Sequence, residues 1–208
     1  MKKDLRKERK NLYSPKAGIS EVDVPRMRFI AVTRKGTVDK RAQEAAEILF
    51  EVSYAASMSP AEEIQPEGYY EYEIMPLEAL FGSRDVLFDP RSRDTWEWTM
   101  MVRQPEFVNE RFFGSLKESV ERHNPELDVR SAYLVDIEEG RSVQKMHVGS
   151  YRLVKESIAE MLTYMEDREY VANGPFHEIY LTDPGRVDES NIRTILRFPV
   201  APRVFDKR

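Results

Sequence analysis

The chain has 208 residues, of which 41% are hydrophobic and 33% charged, and its formal net charge is −5 at pH 7. It contains no cysteine, which excludes disulfides, thiolate nucleophiles and cysteine-ligated zinc. No apolar run reaches the roughly 20 residues that a membrane-spanning helix needs, so we expect no membrane contact. The first ten residues carry a local charge of +4, which leaves −9 for residues 11–208 and argues against direct nucleic-acid binding.

Motifs for metals and cofactors are missing. The three histidines, His123, His147 and His177, are far apart and form no helical pair. There is no Gly-rich phosphate loop and no G-x-S-x-G nucleophile elbow. The sequence therefore predicts neither a metal site nor a cofactor. The charged start, which has no apolar segment of a secretory signal, favours a cytoplasmic protein.

Hydrophobic periodicity and turn residues divide the chain into alternating strands and helices. Residues 1–27 are polar and turn-rich, which predicts an extended and solvated N-terminal arm; residues 201–208 are a polar tail. Between them the pattern predicts, in order, a strand at 28–34, a helix at 40–57, strands at 69–75, 77–81 and 96–103, a helix at 106–123, a hairpin of strands at 129–137 and 142–148, a helix at 152–168, and strands at 176–182 and 192–199.

This order repeats once. Gly36 followed by Ala46–Leu49 matches Gly149 followed by Ala159–Leu162, at a constant offset of 113 residues. Residues 28–200 then form one α+β domain of two β-α-β-β halves, 28–125 and 126–200. Side by side, these halves predict an antiparallel sheet with helices on one face. The seam between the halves, on the face without helices, is where we expect a ligand cleft.

The stretch from Pro175 to Pro184 carries the strongest functional signal. It is typical of a strand that stops at a turn, with Ile179 and Leu181 on a core face and Glu178 and Tyr180 on the other. A carboxylate beside a phenol ring suits a cationic or electrophilic aromatic ligand, and partial desolvation makes the carboxylate a better general base. The alternative is an ordinary half-exposed strand with a polar outer face.

Five further residues are candidates for the same cleft, each with a structural alternative. Trp96 and Trp98 alternate on a strand and are equally typical of core packing. Glu78 lies in an apolar segment, where it serves either the pocket or the capping of a backbone group. Tyr151 follows Gly149 and is either cleft-lining or exposed. His147 is either ligand-binding or a hydrogen-bonded structural histidine.

Taken together, several segments in this order resemble the stand-alone GyrI-like small-molecule-binding proteins. The resemblance covers roughly residues 13–200 and rests on Val24–Pro25, Phe29–Val32, Pro76–Glu78, Trp96–Pro105, Gln144–Gly149 and His177–Pro184. It implies a tandem β-α-β-β fold with a ligand cleft at the seam. It also implies that Glu178 matches the central pocket glutamate of the family, with Tyr180 beside it.

Relatives in this family are drug-sensing domains of transcription activators, and members of the stand-alone branch hydrolyse the strained cyclopropane of DNA-alkylating, duocarmycin-like compounds. For this chain the resemblance implies that Glu178 and Glu78 flank the attacking water, while Trp98 and Tyr180 pack the flat ligand. Ala79 and Phe81 stand where a glycine and a tryptophan are expected, which predicts an altered pocket wall. We expect no DNA-binding motif in the short segment before the domain.

Two hypotheses from different classes follow. The first is a cytoplasmic hydrolase of cyclopropanoid xenobiotics, without a cofactor, whose partner is a planar aromatic or cationic small molecule. The second is a binding module that sequesters such compounds without turnover. A third, a DNA-mimicking gyrase inhibitor, draws on the family name and on the acidic charge of residues 11–208. The oligomeric state is left open.

Overall fold

The computed structural model describes residues 2–38, 40–62, 65–82, 97–183 and 185–204. Its helices are α1 Leu5–Glu8, α2 Lys10–Tyr13, α3 Lys40–Met58, α4 Glu110–His123 and α5 Val154–Asp167. Its strands are β1 Ile19–Val24, β2 Met27–Lys35, β3 Leu77–Phe81, β4 Glu97–Gln104, β5 Tyr133–Ile137, β6 Gly140–Val148, β7 Tyr170–Ala172, β8 Phe176–Tyr180 and β9 Arg193–Pro202. The predicted loop at 82–94 and Trp96 lie almost wholly outside these ranges.

All described strands join one antiparallel sheet in the order β1-β6-β9-β8-β3-β4-β2-β5, with β7 on the outer part of β9. The order has the symmetry of the predicted repeat, because β2, β3 and β4 mirror β6, β8 and β9 about the β3–β8 pair. Each half also carries one long helix between its first two mirrored strands, α3 in the first and α5 in the second. The α+β fold with tandem β-α-β-β halves is therefore confirmed.

The sheet curls so that its two ends approach each other. Strand β1 forms one edge of the sheet and finishes at Val24. Strand β2 starts at Met27 and lies next to β5, which forms the other edge. Three residues of chain span at most about 10 Å, so the two ends must lie close together. The predicted hairpin of 129–137 with 142–148 is consequently wrong: β5 pairs with β2, and β6 pairs with β1 and β9. The turn at Glu138–Gly140 connects the two halves instead.

Alternation along β3 and β8 defines two faces. Ala79 is opposite Glu178 in the ladder, whereas Glu78 is opposite Ile179. We call the side of Ala79 and Glu178 the α3 face, since α3 and α5 pack there, and the side of Glu78 and Ile179 the N-terminal face. On the α3 face, Gln104 of β4 donates a hydrogen bond to Ser53 of α3 at 2.9 Å.

The first residues of the chain are folded onto the N-terminal face. The prediction of an extended, solvated arm is wrong for this segment, because α1, α2 and β1 form and Leu5 and Leu12 are fully buried. Asp4 caps α1 by accepting a hydrogen bond from the backbone N–H of Arg6. Most residues of this segment are polar, so its few apolar side chains give no visible pattern. These apolar side chains anchor the segment and are covered by the curled sheet.

The segment at 69–75 also differs from its prediction. It forms one isolated bridge, Lys3 to Tyr72, and no strand. Its aromatic residues pack around Phe107 instead, with ring centroids 5.2 Å away for both Tyr69 and Tyr70. The alternation of aromatic and acidic residues in this segment therefore reflects the packing of a ring cluster rather than pairing in a β-sheet. Within the described ranges no helix is long and apolar enough to cross a membrane.

Candidate functional site

A cleft of about 820 Å³ opens over the seam of the two halves, between the sheet and α3. This volume falls in the range of roughly 300–1,000 Å³ that is usual for small-molecule sites. Its walls are mostly apolar, with few polar groups, and the lining residues are Arg6, Ala42, Gln43, Ala46, Phe50, Ile74, Met75, Pro76, Leu77, Met100, Tyr151, Glu178, Tyr180, Leu181, Thr182 and Asp183. The cleft lies at the seam as expected, but on the α3 face, so the expectation of a face without helices is wrong.

Strand β8 positions the two polar groups at the centre of the cleft. The alternation of side chains along β8 directs Glu178 and Tyr180 to the α3 face. The pairing of β8 with β3 and β9 fixes the position of both residues along the sheet. The small side chain of Ala79 lies opposite Glu178 in the ladder. Neither Ala79 nor Phe81 lines the cleft; Phe81 packs on Phe176 with ring centroids 6.3 Å apart. Ala79 and Phe81, the two departures from the family pattern, therefore lie behind the lining of the cleft and are not part of it.

The carboxylate of Glu178 is held by its neighbour. Tyr180 donates a hydrogen bond of 2.8 Å to Glu178 Oε2. Burial raises the pKa of Glu178, and this effect is partly offset by the Tyr180 hydrogen bond and by the charge of His177. Burial and the charge of Glu178 in turn raise the pKa of Tyr180 well above its usual value. The pair is therefore a carboxylate of increased basicity beside a phenol that stays protonated.

Tyr151 completes this wall from the second half. It begins the 3₁₀ turn Tyr151–Leu153, which leads into α5, and Ser150 caps that turn through the N–H of Arg152. The rings of Tyr151 and Tyr180 meet edge to face, with centroids 6.1 Å apart and planes at 76°. Tyr151 is still 39% exposed, so a ligand can reach it.

Glu78 lies on the opposite side of the sheet from the cleft. Its side chain is fully buried on the N-terminal face, where it accepts a hydrogen bond of 3.0 Å from the Tyr13 hydroxyl. The structure therefore does not bring Glu78 and Glu178 around one water, because adjacent register positions of β3 and β8 point to opposite faces.

Glu78 instead ends a buried charge chain, which we define as Glu78, His177, Glu139 and Arg197. His177 Nε2 lies 2.9 Å from Glu78 Oε2, at ion-pair distance but poorly aligned for a hydrogen bond. On its other side, His177 Nδ1 contacts Glu139 Oε1 at 2.9 Å, and Arg197 donates to Glu139 Oε2 at 2.9 Å. Two carboxylates and two cations thus alternate in the interior, which removes the cost of an unpaired buried charge.

The charges of this chain are strongly stabilised. Burial alone would lower the pKa of His177, but the charge and hydrogen bond of Glu139, together with Glu78, raise it to about 9. Burial alone would raise the pKa of Glu139, but His177 and Arg197 lower it to about 2. His177 is therefore a cation at neutral pH, one residue away from Glu178 and on the other side of the sheet.

Two other predicted ligand-binding residues also lie outside the cleft. Trp98 is fully buried, and its indole N–H donates to the carbonyl of Gly36 at 3.1 Å. His147 is 5% exposed and contacts the Ser157 hydroxyl at 3.0 Å and the Ser150 carbonyl at 3.1 Å. Both arrangements match the structural alternatives considered for these residues. Trp96 lies outside the described residues.

Sequence reasoning missed several groups of the site. Phe50 of α3 and Met100 of β4 supply apolar walls, and Arg6 and Asp183 supply charges at the rim. The charge chain was missed too, although a signal existed: His177 alternates with Ile179 on the core side of β8, and a histidine there needs buried partners. Among the described residues, no group of three or more His, Asp or Glu side chains is arranged so that it could hold a metal ion.

Comparisons with known proteins agree with this geometry. Residues 110–201 match the model of the GyrI-like small-molecule-binding domain. A crystal structure of a hydrolase from Listeria innocua is 35% identical, with a TM-score of 0.86 over 96% of this chain and 100% of that one. An uncharacterized conserved protein from Listeria innocua is 36% identical, with a TM-score of 0.88 over 96% and 100%. No curated protein matches.

A more distant structure shares the fold alone. The C-terminal domain of EcmrR is 13% identical, with a TM-score of 0.57 over 90% of this chain and 98% of that domain. The family match, the near-complete alignments at more than one-third identity and the tandem fold lead to one conclusion: the chain belongs to the GyrI-like small-molecule-binding family.

Proposed function

We propose that this protein binds flat aromatic xenobiotics in its cleft and hydrolyses an electrophilic cyclopropane on them, with Glu178 as general base. The observation that carries the proposal is the position of Glu178: a carboxylate with a raised pKa, held by Tyr180, on the wall of a largely apolar cleft of ligand size. The description of a 35% identical relative as a hydrolase supports turnover.

The chemistry needs one carboxylate. Among the described residues, Glu178 Oε1 accepts no hydrogen bond, so this oxygen is free to take a proton from a water in the cleft. The water oxygen then bonds to the less hindered cyclopropane carbon as the ring C–C bond breaks. The electron pair of that bond moves into the conjugated ketone, which becomes a phenolate and is protonated from solvent, while Glu178 releases to solvent the proton that it took from the water. The net change is the addition of one water.

The lining of the cleft also supports the binding of a flat aromatic ligand. Tyr151 and Tyr180 offer ring edges and faces to a flat ligand, and Phe50 and Met100 close the apolar walls. Glu178 favours positive charge developing on the reacting carbon. The proposal thus uses one glutamate and two tyrosines. Glu78 has no catalytic part in it, because its side chain is buried on the N-terminal face.

The test compares two glutamates that differ in which face they occupy. Catalytic amounts of protein are incubated with a cyclopropane-bearing duocarmycin-type compound, and the ring-opened product is followed by mass spectrometry. We expect many equivalents of product. Glu178→Gln should lower the rate by about 10²–10⁴-fold, since a general base contributes that much, while binding of the compound persists.

Glu78→Gln is the matched control, because it makes the same change on the N-terminal face. We expect it to reduce stability while leaving turnover measurable below its unfolding temperature. Undiminished turnover in Glu178→Gln would refute the general-base assignment. Protection that saturates at one equivalent would instead favour a non-catalytic binding module, which the apolar cleft equally supports.

A further inference from the structure

A second cavity lies beside the cleft, where the N-terminal helices meet the end of β8. It has a volume of about 420 Å³. We call it the basic groove, and its lining residues are Asp4, Arg6, Lys7, Lys10, Tyr13, Ser14, Leu181, Thr182 and Arg193. Four cations and one carboxylate face this space, in a chain whose net charge is −5.

The basic groove is continuous with the cleft. Arg6, Leu181 and Thr182 line both cavities. The backbone N–H of Arg193 donates to the Thr182 hydroxyl at 2.9 Å, which fixes the segment after β8 that forms their common edge. A ligand that lies on Glu178 and Tyr180 can therefore extend along Leu181 and Thr182 toward the basic groove.

Two of the four cations have no carboxylate partner among the described residues. Arg6 is paired with Asp4 at 2.8 Å and with Glu73 at 2.7 Å, and Lys7 lies 3.9 Å from Asp4. In contrast, within the described part of the chain, Lys10 and Arg193 have no carboxylate at ion-pair distance. Their unbalanced charges create a local positive potential that attracts an anion.

We propose that the basic groove is an anion subsite: it binds a carboxylate, sulfonate or phosphate group carried by the aromatic ligand whose flat part occupies the cleft. The proposal rests on the proposed binding function of the cleft. Lys10 and Arg193 hold the anionic group, while Tyr180 and Tyr151 hold the ring system. An aromatic ligand that carries an acidic substituent at one end is thus expected to bind more tightly than the same ligand without it.

The test uses two fluorescent dyes that differ in one anionic group. Anilinonaphthalene sulfonate carries a sulfonate, and phenylnaphthylamine is its uncharged counterpart. Each is titrated into the full chain, the double variant Lys10→Gln/Arg193→Gln, and the control Arg130→Gln. Arg130 is 83% exposed and pairs with Glu121 away from both cavities. Circular dichroism and thermal unfolding establish that each variant is folded.

We expect the double variant to raise the Kd of the sulfonate dye about tenfold, since each exposed charge interaction contributes roughly a threefold factor. The Kd of the neutral dye should stay within about twofold. Added salt should weaken the sulfonate dye in the unmodified chain more than in the double variant. The single variants, each with about a threefold effect, serve if the double variant does not fold.

The outcomes separate this proposal from the cleft itself. An equal change for both dyes, or no change for the sulfonate dye, would overturn the anion subsite while leaving the cleft intact. Binding of the sulfonate dye alone, lost in the double variant, would support the subsite and count against the cleft as an aromatic site. No binding of either dye overturns both.

Discussion

At the scale of single residues, the site depends on which way each side chain points. Glu178 and His177 are neighbours in sequence, yet one faces the cleft and the other faces the buried charge chain. Alternation within one strand was enough to predict that Glu178 shares a face with Tyr180, opposite Ile179. It could not predict that Glu78 points away from it, because that depends on how β3 and β8 pair across 100 residues of chain.

The hydrogen bond from Tyr180 makes the basicity of Glu178 testable. Tyr180→Phe keeps the ring but removes the hydroxyl that donates to Glu178 Oε2. Since that bond lowers the pKa of Glu178 against the raising effect of burial, its loss should raise this pKa further. The base is active when deprotonated, so the fall of kcat/KM with decreasing pH should begin at a higher pH than in the unmodified protein.

The measurement is a pH–rate profile of ring opening for both proteins. Tyr151→Phe is the matched control, because Tyr151 lines the same cleft but does not donate to Glu178. Its profile should keep the original acid limb. Superimposable profiles for Tyr180→Phe and the unmodified protein would show that the hydrogen bond from Tyr180 does not influence the basicity of Glu178 in the reaction.

At the scale of elements, the long periodic segments were predictable and the short polar ones were not. Helix α3 and strand β2 follow from contiguous apolar patterns, and their observed ends agree with prediction to within a residue. The segment from Leu5 to Tyr13 offers too few apolar residues for any period to be visible. Its helices form because Leu5 and Leu12 fill the interior of the curled sheet, which is a tertiary effect.

Burial of the N-terminal segment predicts a large stability effect from a small change. Leu12 is fully buried, and its carbonyl accepts a hydrogen bond from Arg197 at 2.9 Å. Leu12→Ala should lower the free energy of unfolding by about 2–5 kcal/mol through lost transfer energy and the cavity left behind. Urea unfolding measures the difference.

The exposed Lys16 provides a control in the same segment. Lys16→Ala should change the free energy of unfolding by less than about 0.5 kcal/mol. If Leu12→Ala has an equally small effect, the N-terminal helices contribute no packing energy and the extended arm expected from the sequence describes the protein in solution better.

At the scale of the whole molecule, the curled sheet separates a cleft that is open to ligands from an interior that is closed by the N-terminal segment. The buried charge chain crosses this interior, from Glu78 on β3 through His177 on β8 and the connection between the halves to Arg197 on β9. It therefore links both halves of the repeat. The sequence indicates that His177 needs buried partners but could not identify them, since the members come from four separate segments that only the fold brings together.

This chain of charges predicts how the stability of the protein depends on pH. The folded pKa of Glu139 is lowered to about 2, so its contribution is present above its ordinary value of 4.5 and is lost as the pH falls through 2. The folded pKa of His177 is raised to about 9, so its contribution is fully present below its ordinary value of 6.5 and is lost as the pH rises through 9.

We therefore expect the free energy of unfolding, measured in urea from pH 3 to 10, to be highest between about pH 4.5 and 6.5 and to fall on both sides. His177→Gln should be destabilised near neutral pH, because Glu78 and Glu139 lose their shared cation, and should lose the decline between pH 6.5 and 9.

His147→Gln is the matched control: His147 is also buried, but its contacts are a hydroxyl and a carbonyl, so the alkaline decline should persist. A decline that survives in His177→Gln would place the responsible titration elsewhere and show that the charge chain does not govern stability above neutral pH.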